Sequence, residues 1–240
     1  MTQLPVLMYH NVCAFNEMSK GLTISQEKLE EQFKYLACNY TTFHLSELEK
    51  NENKNEKNIG KGVVITFDDV TVNQLEFAVP LLEKYKLKAT FFIPFNYVGK
   101  SDMWNKGTEP IMDIQQLKSL NSDLIELGYH SFMHSRYAQM NDEQIDNDFD
   151  QCHAFIDENN LKVYPAVAYP YGNYPKKEPA KSHFKELLNK NGMKMGLKIG
   201  NRINKYPLRE NYEIQRIDVK GEDSLFKFKL KLKFGKLKLF

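Results

Sequence analysis

Residues Val63–Thr71 read VVITFDDVT, an apolar run that stops at two adjacent carboxylates, Asp68 and Asp69. A short run rich in β-branched residues suits a strand buried on both faces. Adjacent like charges repel each other, and burial raises the cost of each. The pair is therefore either screened by solvent at a loop or faces something positive. A cation in a cleft would satisfy the second condition.

Similar short apolar runs recur along the chain. Strands are expected at Pro5–Tyr9, Val63–Phe67, Ala89–Ile93, Leu124–His130, Val163–Tyr169, Lys194–Lys198 and Tyr212–Ile217. Helical spacing fills the gaps between them. Ser25 is placed to cap a helix carrying Leu29, Phe33 and Leu36 on one face. Asn141 and Gln144 form a capping-box pattern ahead of Ile145, Phe149, Cys152 and Ile156. Phe184, Leu187 and Leu188 form a third stripe, with Gly192 as its C-terminal cap. Pro80 predicts a bend between Asn73 and Tyr85. Asn51–Gly62 is polar and of low complexity and reads as a solvated loop. Strand–helix alternation implies a parallel sheet, open or closed into a barrel.

The 240 residues suit one large α/β domain or two small ones; 42% are hydrophobic and 27% charged, so a packed core is feasible. Six lysines and no acid fall in Leu225–Phe240; removing them from the net +2 leaves −4 for the rest. The body is thus not a polyanion binder by bulk charge, which argues against nucleic acid as a partner. Cys13, Cys38 and Cys152 are odd in number and widely spaced, which fits a reducing compartment. The N-terminus lacks the basic and long apolar regions of a signal peptide, and no apolar run approaches the ~20 residues that span a bilayer. The expectation is a cytoplasmic protein.

Two further segments carry chemistry. Glu126–Ser135, ELGYHSFMHS, places His130 and His134 four apart, a spacing that converges on a helix face or on an irregular loop. Two imidazoles and one carboxylate leave a divalent metal with open positions for water and substrate. Val167–Lys177, VAYPYGNYPKK, reads either as a tight turn with aromatic packing or as a site wall offering backbone N–H groups to an oxyanion. All three segments fall at the C-terminal ends of expected strands, where sites form in parallel α/β folds.

In order and spacing, TFDD (Thr66–Asp69), HSFMH (His130–His134) and YPYG (Tyr169–Gly172) resemble the three leading motifs of the polysaccharide deacetylases, the NodB-homology proteins of carbohydrate esterase family 4. Pro80–Pro94 resembles the family's second strand–helix unit, and the likeness runs from about His10 to Asp218. It implies an incomplete or distorted (β/α) barrel of about seven parallel strands. Asp68 corresponds to the general base. Asp69, His130 and His134 correspond to ligands of a divalent metal, with Zn²⁺ the leading candidate. The Tyr169–Gly172 segment would wall the substrate site, with the Tyr171 N–H on the oxyanion and Pro170, which has no N–H, unable to serve. Trp104 is placed to stack on a sugar ring or to pack as a lid residue. The family's late catalytic His has no counterpart, since His183 falls inside an expected helix. LMYH (Leu7–His10) resembles the N-terminal segment of circularly permuted members, which makes His10 the expected general acid.

The chain also departs from the family pattern. Val70 replaces a Gly, and a β-branched residue disfavours a left-handed turn. Ala168 replaces the Arg that pairs with the base; Arg202 and Arg216 are the candidate substitutes. Asp218 is a candidate only by position for the Asp that orients the catalytic His. The expected activity is removal of an N-acetyl group from an amino sugar in surface-polysaccharide biosynthesis, on a nucleotide- or lipid-linked precursor. A carbohydrate O-acetyl esterase and a non-catalytic glycan-binding homologue are the alternatives. The catalytic domain is expected over 1–222. The tail 223–240 alternates apolar residues with Lys, which places Phe226, Phe228, Leu230 and Leu232 on one face of an edge strand; the sharper reading is a peripheral membrane anchor.

Overall fold

A computed structural model describes residues 2–53 and 58–235. Its centre is a ring of seven parallel strands: β1 (Val6–Tyr9), β2 (Gly62–Asp68), β3 (Ala89–Ile93), β4 (Ile125–Tyr129), β5 (Val163–Ala168), β6 (Met195–Ile199) and β7 (Ile214–Asp218). Strand order around the ring follows the chain, and β1 closes it by pairing with both β2 and β7. Every expected strand is present to within two residues. Thr2–Leu4 pairs antiparallel with Asn204–Tyr206, Asn11–Cys13 pairs with Thr23–Ser25, and Thr41–Thr42 adds to the start of β2.

Both faces of the strands are buried, which is why they read as continuous apolar runs. On β2 and β3, Val64 and Phe92 fill the barrel interior, while Val63, Ile65, Phe67, Phe91 and Ile93 face the outer core. Gly128 on β4 makes room for the interior, because a Cβ there would lie 2.7 Å from the Phe92 ring.

The outer layer holds α1 (Gln26–Asn39), α2 (Leu45–Asn53), α3 (Val79–Tyr85), α4 (Ile114–Ser119), α5 (Asp142–Asn159), α6 (Ala180–Lys190) and α7 (Leu225–Phe234). Ser25 caps α1 through Lys28 N, and Asn141 with Gln144 closes a capping box on α5. Gly192 follows α6 with φ 77°, a turn that favours glycine. The bend expected at Pro80 is a turn of π-helix, Gln74–Ala78, leading into α3 with Pro80 in its first turn. A proline has no N–H to continue the preceding ladder, and the wide turn accommodates that loss. The expected loop at Asn51–Gly62 begins later than its composition suggests, since α2 runs to Asn53; residues 54–57 lie outside the described residues.

The tail differs from expectation. Residues 225–234 form α7, not an edge strand, and 236–240 lie outside the described residues. Phe228 and Leu232, one helical turn apart, insert into the outer core. Ser224 caps the helix through Lys227 N, and Lys231 is buried against Asp223 and the Asp218 carbonyl. Packing and a buried ion pair thus override the period-two pattern, and Phe226 stands exposed rather than sharing a face with Phe228.

Candidate active site

At the C-terminal end of β2 the paired acids part. Asp68 is the last strand residue, and its side chain points into the barrel. Asp69 (φ 79°) and Val70 (φ 46°) are both left-handed, which turns the chain sharply and aims the Asp69 carboxylate away from its neighbour. Val70 therefore keeps the conformation that a glycine would take freely. Its side chain is fully buried in the outer core, and its carbonyl accepts from Met112 N at 2.9 Å. Burial holds a backbone that a β-branched residue avoids.

Arg216 on β7 meets Asp68 inside the barrel. Nη1 donates to Oδ1 at 2.5 Å and Nη2 to Oδ2 at 2.8 Å, with the guanidinium 5.6 Å from the centre of the Phe92 ring. Of the two arginines singled out by sequence, Arg216 supplies this clamp and Arg202 stands exposed elsewhere. Burial would raise the Asp68 carboxyl, but Arg216, with His130 and His10, outweighs it and holds the group well below the usual carboxylate range.

His130 and His134 lie on a loop after β4 rather than on a helix. Ser131 (φ 65°) and His134 (φ 53°) are left-handed there. The His130 Nδ1 donates to Ala168 O at 2.7 Å, which leaves Nε2 as the lone-pair nitrogen. Nε2 of His130 and of His134 lie 3.5 and 3.4 Å from Asp69 Oδ1. Burial is the main cause that pulls the His130 imidazole down to about 4, so it is neutral at pH 7. Asp69 Oδ1 is buried and has no hydrogen-bond partner. Ligand atoms of the three residues lie within 4.8 Å of one another. Two imidazole nitrogens and a carboxylate oxygen converging at this range fit a divalent cation.

The loop is held from behind by a residue that the motifs did not reveal. Asp148, buried on α5, accepts from Ser131 Oγ at 2.8 Å, Phe132 N at 2.9 Å and Tyr137 OH at 3.0 Å. A signal was present: Asp148 interrupts the apolar stripe of Ile145, Phe149 and Cys152. Gln74, also unforeseen, donates to the carbonyls of Asp68 at 2.6 Å and His10 at 3.1 Å, joining the ends of β1 and β2.

Around this cluster a cleft of about 300 Å³ opens at the C-terminal end of the barrel, and His10, Trp104, Tyr171 and Asp218 line it. The Trp104 ring stacks on His134 with centroids 4.4 Å apart, and Tyr171 meets the same imidazole edge-on at 4.6 Å. Tyr171 is left-handed (φ 57°) and carries the Arg136 guanidinium 3.8 Å from its ring centre. His10 Nε2 is 3.7 Å from Asp68 Oδ2, too far for a hydrogen bond, and its Nδ1 is buried without a partner. Asp218 reaches the same cleft but pairs with Lys220 at 2.8 Å. His183 lies on the surface of α6, bonded to Asp142.

Two expected wall residues do not face the cleft with their side chains. Tyr169 is buried in the outer core against Tyr137, Tyr174 and Phe184, and its hydroxyl donates to Tyr212 O at 2.8 Å. Alternation on β5 explains this: Ala166 and Ala168 point into the barrel, so Val167 and Tyr169 point out. Pro170 is buried and opens the short turn that presents Tyr171.

Known proteins resemble this chain in sequence and in fold. The chain is 28% identical over 162 residues to a poly-beta-1,6-N-acetyl-D-glucosamine N-deacetylase of Staphylococcus aureus (strain MRSA252), covering 64% of this chain and 55% of the relative. It thus spans little more than half the length of the curated relatives it matches. In fold it is similar to the Streptococcus pyogenes deacetylase PplD in complex with acetate, with TM-score 0.79 and 20% identity over 96% of this chain and 98% of the other. It is likewise similar to IcaB from Ammonifex degensii, with TM-score 0.78 and 22% identity over 97% and 98%. The family model for polysaccharide deacetylase matches residues 55–196, a stretch that carries Asp68, Asp69, His130, His134 and Tyr171, and this chain belongs to that family.

Proposed function

We propose that this protein is a metal-dependent hydrolase that removes N-acetyl groups from an amino-sugar polymer. The observation that carries the reading is the divergence of the paired acids within one cleft. Asp68 is clamped by Arg216, and Asp69 faces His130 and His134. Asp69, His130 and His134 would hold the ion, which supplies electrophilic polarisation and an acidified water.

The remaining work falls to the chain's own groups. Asp68, ionised and fixed by two charge-assisted bonds, accepts the proton as water oxygen bonds to the acetyl carbon. The turn at Tyr171 borders the developing oxyanion. His10, with Nε2 3.7 Å from Asp68 Oδ2, gives a proton to the departing amine as the C–N bond breaks, and acetate leaves. Trp104 and Tyr171 offer aromatic surface beside the reacting group.

The Staphylococcus aureus relative is named for poly-beta-1,6-N-acetyl-D-glucosamine, and oligomers of that class are the first substrates to test. A nucleotide- or lipid-linked form of such a glycan is the finer reading, with zinc as the metal. Three free cysteines support work in a reducing, cytoplasmic setting. The decisive measurement is acetate release from N-acetylglucosamine oligomers after chelation and after metal is restored. Release lost on chelation, regained with zinc and absent in Asp68→Asn supports the reading. Wild-type release by Asp68→Asn would sink it.

The unpartnered Nδ1 of His10 favours one second reading, an O-acetyl esterase, whose leaving group needs less protonation. His10→Ala that spares esters and abolishes amide cleavage would mark the amide as the demanding reaction. Equal loss on both would assign His10 a different role.

A further inference from the structure

Among the described residues, nine large apolar side chains stand exposed. Six of them follow the C-terminal ends of barrel strands, on the side where the cleft opens; Ile199 is the last residue of β6 at that same end, and the other two, Phe226 and Phe234, are on α7. Both ends of α7 touch loops at that same end of the barrel. Gly235 lies against Asn201 and Arg202, which follow β6. Ser224 follows the Gly221 turn, where Gly221 N donates to Gly21 O at 3.0 Å and Ser19 Oγ donates to Gly221 O at 2.7 Å. The Phe15–Leu22 loop, with Phe15, Met18 and Leu22 exposed, is thereby tied to the start of α7, and Leu22 also lines the cleft.

The geometry of α7 sharpens this. Each residue turns the helix by about 100°. Phe228, Lys231 and Leu232 then define the inward face, and Phe226, Leu230 and Phe234, spaced by four, define the outward one. Lys229 and Lys233 flank that stripe on one side and Lys227 on the other. Lys227 is more than half exposed while paired to Asp223, and Lys229 lies over the Tyr35 ring at 4.6 Å. The helix contains no acid. Apart from Lys233, which lies over the Phe234 ring at 5.1 Å, this outward apolar stripe edged by lysines has no packing partner among the described residues.

We propose that this end of the barrel docks on an anionic lipid surface through the outward face of α7 and the adjoining Phe15–Leu22 loop, with the cleft mouth beside the interface. Charge selects this occupant. Lysines flanking apolar side chains match acidic headgroups over acyl chains. A neutral N-acetylated glycan offers those lysines no counter-charge, and a deacetylated one, being cationic, repels them. No described helix is long and apolar enough to cross a membrane. The consequence for substrate rests on the deacetylase reading: a cleft beside lipid suits a glycan still held at a membrane.

The test uses the full-length protein and sedimentation with phosphatidylcholine vesicles, with and without phosphatidylglycerol. Binding is expected only to the acidic vesicles, and it should weaken at high salt. Phe226→Ser/Phe234→Ser and Phe15→Ser/Met18→Ser should each weaken binding about tenfold or more, since large apolar groups no longer leave water. Their thermal unfolding and their acetate release from soluble oligomers should match wild type, which separates failure of docking from failure of the enzyme reading. Three results would each overturn the proposal: no binding to acidic vesicles, binding indifferent to all four substitutions, or substitutions that instead abolish capture by insoluble N-acetylated glycan.

Discussion

Replacing Arg216 with Met should be among the most costly single changes in the chain, and its cost should depend on pH. Arg216 is fully buried and Asp68 nearly so, with two hydrogen bonds joining them at 2.5 and 2.8 Å. Arg216→Met leaves a buried carboxylate without its partner, which costs about 3–5 kcal/mol at neutral pH. For a chain of this size that corresponds to a fall in Tm of roughly 6–20 °C. The sign of the pH dependence follows from the depressed carboxyl in the native protein. Its contribution to stability is present above the unfolded pKa of about 3.9 and is lost as pH falls toward the lower folded value. In the variant, burial acts on Asp68 without the guanidinium, so the carboxyl is raised and the variant recovers as it takes up a proton. The difference in unfolding free energy should therefore be largest at pH 7 and shrink toward pH 4. Urea titrations in chelator at several pH values measure this directly. Asp68→Asn in the Arg216→Met background should restore part of the loss, because a neutral amide tolerates burial better. A penalty that is constant from pH 7 to pH 4, or a double variant whose losses simply add, would refute the claim that the two groups form one buried pair.

Asp148→Ala should leave Ser131 Oγ, Phe132 N and Tyr137 OH without their acceptor and weaken zinc binding about 10–100-fold, as loss of outer-shell support does; competition titration with a zinc dye reads this apart from activity. Asp148→Asn, which keeps one acceptor oxygen, should fall between that variant and wild type. His134→Ala should abolish both stoichiometric metal by elemental analysis and acetate release, and added zinc should no longer raise Tm. Val70→Gly should cost clearly less stability than Val64→Gly by urea denaturation. Both side chains are fully buried, but only Val70 sits at positive φ, where a non-glycine residue carries about 1–2 kcal/mol of strain.

The barrel was legible because each strand is buried on two faces and so appears as an unbroken apolar run. The order of the motifs placed Asp68, Asp69, His130 and His134 together for a similar reason: they all follow strand ends on one side of a parallel ring. Alternation, followed one residue further, would also have excluded the Tyr169 side chain from the cleft, since β5 turns Ala168 inward. The pattern of the tail suits a strand and a helix alike. Alternating Phe, Leu and Lys obeys period two, and a helix still finds Phe228 and Leu232 at spacing four. What decides between them is Asp223, which Lys231 reaches only from a helix turn after Ser224.

Arg216 shows why the rest was not legible. Its partner is 148 residues away in sequence, and no local pattern marks a guanidinium as pointing into a barrel rather than into water. With Ala168 standing where the family resemblance implies an arginine, the clamp on Asp68 had to come from elsewhere or not exist. The ring supplies it from β7, two strands from β5, because inward positions on all seven strands converge on one axis. The same logic accounts for Val70. A turn is fixed by what it must deliver, here two adjacent carboxylates aimed at different partners, and not by the residue that makes it cheaply. Asp68 must reach Arg216 inside the barrel and Asp69 must reach the histidine loop, so two successive left-handed residues are required. The chain keeps them and holds Val70 in that conformation by burying its side chain and by the bond from Met112 N.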